Sequence, residues 1–443
     1  MVVLGLDGLP LSLARTLAAT GDFPALAMLT SQARAIRAEL PELSPVNWTS
    51  FYTATGPEEH GVFGFTRIHA QTYAMGLCDF SQPRVPTIFD RLREVGATAR
   101  VINLPNTYPA RPIPGMLISG FVAPELSRAV FPPMLAGRLE AEGYLLEADT
   151  ARAVEDPAYL LAQLRITLAS RRMALSMLWP DLAWNLFVLV LTETDRLFHF
   201  LFHAVEDAAH PLHGECLSLL REWDAVIGDV LALYAQLPGP KRLMVLADHG
   251  FTRLITEVDV NACLRDMGLL HTVLPPEACD DLDATGITPA TQAFALDPGR
   301  IYLHTRARFA RGGVSREDVP ALQARIREAL LSLRYEGQPV MAAVHTGAEC
   351  YPGPLVAYAP DLVCESNPGF DLKAKFNRRA RFGTFGRTGT HTVGDTFFYD
   401  SAEGAAEEQL PSVCRVRDAG VRILAQFGLT VRPDRPEFSD HHS

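Results

Sequence analysis

No part of this chain is apolar for long enough to cross a bilayer: the most hydrophobic run, NLFVLVLT from Asn185 to Thr192, spans eight residues and has Pro180, Asp181 and Asp195 close by. That run suits a buried strand, and no membrane partner is expected. Paired cysteines are missing as well. The seven cysteines (78, 216, 263, 279, 350, 364 and 414) are scattered, odd in number and never form CxxC, which excludes a zinc knuckle and argues against a disulfide framework. Positive charge is in deficit, with 40 Lys and Arg against 51 Asp and Glu and a net charge of −11. Such a balance disfavours a nucleic acid duplex or an anionic membrane surface as partner, but not a small anionic substrate, because bound metal ions can invert the local field. The amino terminus, MVVLGLDGLP, has neither the basic start nor the length of a secretory signal, so a cytoplasmic location is expected. Internal repeats and low-complexity tracts are also lacking.

What is present is an alternation of short apolar runs with amphipathic stretches. The runs VVLGL (2–6), ARVINL (99–104), GMLISG (115–120), NLFVLVLT (185–192) and RLMVLA (242–247) predict strands. Apolar residues recur every three or four positions over 11–19, 86–95, 157–178, 214–236 and 318–333, which predicts helices. The fold class is therefore α/β, a mostly parallel central sheet with helices on both faces. Residues 1–262 and 352–430 read as the two parts of a catalytic core. The interval 263–351 fits the alternation poorly and reads as an inserted cap subdomain, and 431–443 reads as a disordered tail with solvent-exposed histidines.

Ligands of open α/β sheets collect beyond the carboxyl ends of the strands. Asp7 follows VVLGL, Asp248 follows RLMVLA, and Asp195 comes three residues after NLFVLVLT, so three acids from distant parts of the sequence meet that criterion. In DRLFH, a spacing of four sets Asp195 and His199 one helical turn apart on one face, although an ordinary salt bridge would use the same spacing. ADHGF ends a strand in Asp248 and His249, and Gly250 lets the backbone turn so that both can reach one point. ELSPVNWTSFYT leads from a loop into a helix starting near Pro45. There Ser44 is either a plain N-cap before a proline or a nucleophile beside free N–H groups, or both. Thr49 is the reserve nucleophile. In GRTGTHTVGD, His391 sits in what reads as a Gly- and Thr-rich loop. Together these residues supply three Asp, three His and one hydroxyl, the donor set of two divalent cations that clamp a phosphoryl transfer. Zinc is favoured and manganese is the alternative.

These segments resemble the alkaline phosphatase superfamily, and within it the type I phosphodiesterase/nucleotide pyrophosphatase branch, particularly prokaryotic phosphohydrolases carrying a TDR…H segment. The likeness runs through GLDG (5–8), SPVNWTSFYT, PEEHGVFGF, PNTYPARP (105–112), TETDRLFH, LADHGF, APDLV (359–363) and GTHTVG (389–394). The resemblance implies an alkaline-phosphatase-like fold in which Asp7, Asp248 and His249 hold one metal with Ser44, while Asp195, His199 and His391 hold the other. It further implies that Asn47 steadies a non-bridging phosphate oxygen and that His60 is structural. Ser44 stands where the branch most often has Thr, which keeps the hydroxyl; Thr392 stands where an Arg often follows the GTH histidine, which puts a phosphate clamp there in doubt. The implied activity is hydrolysis of a small phosphate ester or nucleotide through a phosphoserine. Alternatives are a phosphomonoesterase or phosphomutase of the same superfamily and, in a different class, a catalytically silent binding or scaffold protein.

Overall fold

The computed structural model describes residues 1–402 and 412–431; the expected tail at 431–443 lies outside them save for Val431. The main sheet has eight strands in the order Arg34–Ile36, Thr396–Asp400, Leu243–Leu246, Val2–Leu6, Leu186–Leu191, Ala99–Leu104, Gly115–Ser119 and Val130–Phe131. The five from Leu243–Leu246 to Gly115–Ser119 run parallel. Antiparallel strands close both edges. All five strands expected from the sequence form, and the helices at Leu11–Ala19, Ile88–Glu94, Pro157–Leu178, His213–Ala235 and Val319–Leu331 fall on the periodic stretches.

The strand side chains divide by parity, as the pleat requires. Phe187, Leu189 and Leu191 pack into a core with the helices Leu11–Ala19, Pro157–Leu178, Glu193–Glu206 and His213–Ala235. Leu186, Val188 and Val190 pack on the opposite face with Ser44–Thr53, Ile88–Glu94 and Val416–Gln426. Both faces of the strand are therefore dry, which explains its continuous apolar reading. The helix Ser44–Thr53 approaches the sheet closely because Gly5 leaves space for Trp48: a β-carbon on Gly5 would stand 2.6 Å from the Trp48 ring.

A second sheet joins Ala293–Leu296, Arg300–Leu303, Leu362–Ser366 and Met341–Thr346, all antiparallel. Its apolar cluster extends from Val258 to Phe376 and takes in Tyr73, so the interval 263–351 covers only part of this packed unit. The reason is that Leu362–Ser366 pairs centrally in that sheet although it follows the interval in sequence. Among the described residues, no helix is long and apolar enough to cross a membrane.

Candidate active site

Asp7 is the first residue after the Val2–Leu6 strand and is held at its backbone by Thr194, whose hydroxyl donates to the Asp7 carbonyl at 2.6 Å. Its Oδ2 accepts the Trp48 indole N–H at 3.1 Å, leaving Oδ1 3.4 Å from the Ser44 hydroxyl. Ser44 is the first residue of its helix rather than the cap expected of it. Leu43 is the N-cap, Pro45 occupies the second position, and no side chain caps the helix. The Ser44 hydroxyl is thereby free, and it also stands 3.3 Å from His249 Nε2.

Asp248 and His249 follow the Leu243–Leu246 strand. The Gly8 N–H donates to Asp248 Oδ1 at 3.2 Å, while Asp248 Oδ2 is buried and has no hydrogen-bond partner. His249 Nδ1 donates to the Gly250 carbonyl at 3.1 Å, a partner that assigns the tautomer and leaves the Nε2 lone pair facing Ser44 and Asp7.

Asp195 and His199 lie one turn apart in the helix Glu193–Glu206, with Asp195 Oδ1 3.4 Å from His199 Nε2. His391 comes from a strand, Gly389–Thr392, and not from the loop expected; it pairs antiparallel with Gly250–Arg253 and sets His391 opposite Phe251. The β-branched Thr390 and Thr392 suit that strand, but its partner is far away in sequence, which hid it. His391 Nδ1 donates to the Glu42 carbonyl at 2.7 Å, and its Nε2 lies 3.2 Å from Asp195 Oδ1 and 3.0 Å from His199 Nε2. Its ring stacks on that of His249 with centroids 3.6 Å apart.

Two groups of donor atoms have the spacing of a metal site: Asp7, Asp248 and His249, and Asp195, His249 and His391, with His249 in both. His199 is within 3.4 Å of the second group's Asp195 and His391. The electrostatics fit cations. Burial, then the charges of Asp248 and Asp195, hold the Asp7 carboxyl well above the usual range. Burial and then Asp195 push Asp248 up to about 6. Asp195 is as deeply buried, but His199, His391 and Arg196 outweigh that and keep it well below the usual range. Burial lowers all three imidazoles, His199 to about 3, so each is neutral near pH 7 and offers a lone pair. Of the three site carboxylates, Asp195 alone contacts Arg196, at 2.8 Å from Oδ2, and Arg196 also reaches Glu147 at 3.5 Å, while Arg387 stands 3.4 Å from His199 Nδ1; the orphaned Asp248 oxygen is a further unmet ligand position.

A profile of the type I phosphodiesterase / nucleotide pyrophosphatase family matches residues 1–393. The chain belongs to this family of phosphoester hydrolases. The same fold occurs in phosphonoacetate hydrolase from Sinorhizobium meliloti 1021 in complex with phosphonoformate, at 16% identity and a TM-score of 0.62 over 95% of this chain and 93% of that one. It occurs also in murine ectonucleotide pyrophosphatase / phosphodiesterase 5, at 13% identity and a TM-score of 0.56 over 99% and 97% of the two chains. The human form of the latter protein matches at 12% identity with a TM-score of 0.53, over 99% of this chain and 97% of that one. No curated protein matches by sequence.

Asn47, which the resemblance assigns to a phosphate oxygen, contacts the loop before Ser44 in this structure. It is fully buried, its Oδ1 accepts the Glu39 N–H at 2.7 Å and its Nδ2 donates to the Leu43 carbonyl at 3.1 Å, so its amide ties down the loop before Ser44. Thr49 is also fully buried, bonded to Tyr52 and Asn106, and is unsuited as a reserve nucleophile. Thr392 donates to the Gly394 carbonyl at 2.9 Å. His60 is buried between Ser50 and the Val62 N–H, a structural position. Trp48, Thr194, Arg196 and Glu42 hold the cluster and were missed; the only hint in sequence was their proximity to Ser44 and Asp195.

Proposed function

We propose that the chain is a phosphodiesterase of the nucleotide pyrophosphatase kind that uses Ser44 as nucleophile. The observation carrying this reading is the Ser44 hydroxyl at the start of a helix, 3.4 Å from Asp7 and 3.3 Å from His249, beside a second Asp and His group that shares His249. Asp7, Asp248 and His249 would hold one divalent cation with Ser44, and Asp195, His199 and His391 the other. Two such ions, zinc first and manganese second, supply Lewis acidity, lowering the pKa of a nucleophilic oxygen and offsetting charge on the phosphate.

The chain's own residues then divide the remaining work. Ser44 gives up its hydroxyl proton to solvent and attacks phosphorus, forming the Oγ–P bond as the bond from phosphorus to the alcohol oxygen breaks, and the alcohol leaves with a proton taken from solvent. Water hydrolyses the phosphoserine and restores the hydroxyl. In the first turn of Ser44–Thr53, Pro45 has no N–H and the Val46 and Asn47 N–H groups donate to the Leu43 carbonyl at 3.0 Å, so the Ser44 N–H is the amide of that turn left to meet the developing negative charge. Asn47 acts as a positioning residue by fixing residues 39–43, and Trp48 and Thr194 hold Asp7 in register with the hydroxyl.

Purified protein loaded with zinc or with manganese is to be assayed on bis(nitrophenyl) phosphate and on nitrophenyl phosphate. The diester is expected to be the better substrate, and Ser44→Ala is expected to lose at least about a thousandfold in turnover. Undiminished turnover by Ser44→Ala removes the serine from its role, and preference for the monoester redirects the assignment to a phosphomonoesterase.

A further inference from the structure

The helix Val416–Gln426 lies beyond residues 1–393, over which the family match extends, and it packs on the helix that begins with Ser44. A β-carbon on Gly420 would stand 2.1 Å from the Phe51 carbonyl oxygen, so the two backbones touch there. At its start the helix presents Arg417 to a buried carboxylate, Glu39, which is 1% exposed. The contact is side-on: Arg417 Nε donates to Glu39 Oε1 at 2.7 Å and Nη2 to Oε2 at 2.5 Å. Nη1 donates to Glu58. Gly56 leaves room for this guanidinium, since a β-carbon there would meet it at 2.2 Å. Arg415, half exposed, adds a longer contact to Glu39 at 3.2 Å.

Glu39 opens the loop that delivers Ser44. Its N–H donates to Asn47 Oδ1 at 2.7 Å, and Asn47 Nδ2 donates to the Leu43 carbonyl at 3.1 Å, so the first turn of the helix is tied to residue 39. Between them, the Leu40 carbonyl accepts the Tyr351 hydroxyl at 2.9 Å and the Glu42 carbonyl accepts His391 Nδ1 at 2.7 Å. The loop is thereby held at residues 39, 40 and 42, and the hold at 39 is ionic. A bidentate guanidinium–carboxylate contact fixes direction as well as distance. A buried carboxylate stripped of its partner is costly, so the loop would shift to relieve it. The place of the Ser44 hydroxyl is therefore coupled to Arg417 through Glu39 and Asn47.

We propose that Arg417 is a positioning residue for the nucleophile: it fixes Glu39, and through it residues 39–47, so that the Ser44 hydroxyl keeps its place beside Asp7 and His249. The inference rests on the phosphodiesterase reading and adds to it an element from outside the family-matched residues.

Hydrogen exchange and steady-state kinetics on the full chain test the assignment. In Arg417→Ala, the amides of residues 39–47 are expected to exchange about tenfold faster, while those of the buried strand Leu186–Leu191 keep their wild-type rates. On bis(nitrophenyl) phosphate, kcat is expected to fall about tenfold with KM within about twofold, the signature of a misplaced nucleophile rather than of lost binding. In a Glu39→Gln background the same substitution is expected to cost no more than about twofold in kcat, because the partner through which it acts is already gone. Arg417→Lys keeps the buried charge but not the side-on contact; it is expected to change exchange and kcat in the same directions, each about threefold, and it decides the matter should Arg417→Ala fail to fold. Unchanged exchange over 39–47 in Arg417→Lys, or wild-type kcat alongside faster exchange, overturns the proposal. Exchange that quickens equally in both segments marks a purely structural role and overturns it too. Equal kcat losses in the wild-type and Glu39→Gln backgrounds overturn the route through Glu39. Faster exchange confined to 39–47, in variants of a wild type that hydrolyses neither this diester nor nitrophenyl phosphate, supports the brace and overturns the phosphodiesterase reading.

Discussion

Trp48 holds Asp7 by one indole N–H while its ring fills the space beside Gly5, so hydrogen bonding and packing can be separated by substitution. Trp48→Phe keeps most of the ring and removes the donor. Loss of such an outer partner is expected to lower metal affinity or activity about 10- to 100-fold, measured by zinc titration with a competing chelator alongside thermal unfolding. A drop in melting temperature with unchanged metal affinity would show that Trp48 serves packing alone. Asp248 gives the pH dependence of the same cluster. Its carboxyl, raised to about 6, binds a proton in competition with a cation. Metal loading is therefore full above that value and is expected to decline as pH falls through about 6, because each protonated carboxylate is a lost ligand. Metal content after gel filtration at pH 8, 6 and 5 checks it. The motif residues were legible because acids and histidines at strand ends are rare and conspicuous. The work of Trp48 and Asn47 was not, since a hydrogen bond between side chains leaves no periodicity in sequence.

The parallel strands were legible for a related reason: a strand covered on both faces is a continuous apolar run, as in LFVLVL at 186–191. The antiparallel edges Arg34–Ile36, Val130–Phe131 and Thr396–Asp400 escaped notice because they are short and take their order from partners far away in sequence. The same is true of Gly389–Thr392, which carries His391. Its pairing with Gly250–Arg253 tolerates little bulk at Gly250, where a β-carbon would meet the Gly394 carbonyl oxygen at 2.3 Å, whereas a β-carbon on Gly394 would meet nothing within 4 Å. Gly250→Ala is expected to cost about 2–3 kcal/mol by denaturant unfolding and to displace His391, while Gly394→Ala is expected to stay within about 0.5 kcal/mol. Equal behaviour of the two variants would show that this ribbon yields without consequence.

On the scale of the whole molecule, the cluster concentrates like charge at one point: Asp7, Asp195 and Asp248 belong to the two candidate metal-binding groups, opposed by Arg196 at Asp195 and by Arg387 at His199. Cations bound there stabilise the native state over the unfolded chain. Full loading at a hundredfold excess over Kd is worth about 2.7 kcal/mol, so chelation is expected to lower the melting temperature by a few degrees and readdition of zinc or manganese to restore it. Scanning calorimetry before and after chelation checks this, and an unchanged melting temperature would argue that the acids are held by protons alone. The α/β class was legible at this scale. The extent of the second packed unit was not, because Leu362–Ser366 joins a sheet whose other strands precede it by up to about seventy residues.

His391 reaches the other ligands only through a ribbon whose two strands are separated by more than a hundred residues, Gly250–Arg253 and Gly389–Thr392. During synthesis on the ribosome, Ser44, Asp7 and the 248/249 pair emerge long before their last companion, and the intervening second sheet has to form or be held aside first. A nascent chain ending before residue 389 carries the serine and most of the ligand set but not the finished centre. On the proposed reading, hydrolytic competence waits until residues 389–392 have been made and paired with Gly250–Arg253, which leaves the Ser44 hydroxyl idle up to that point.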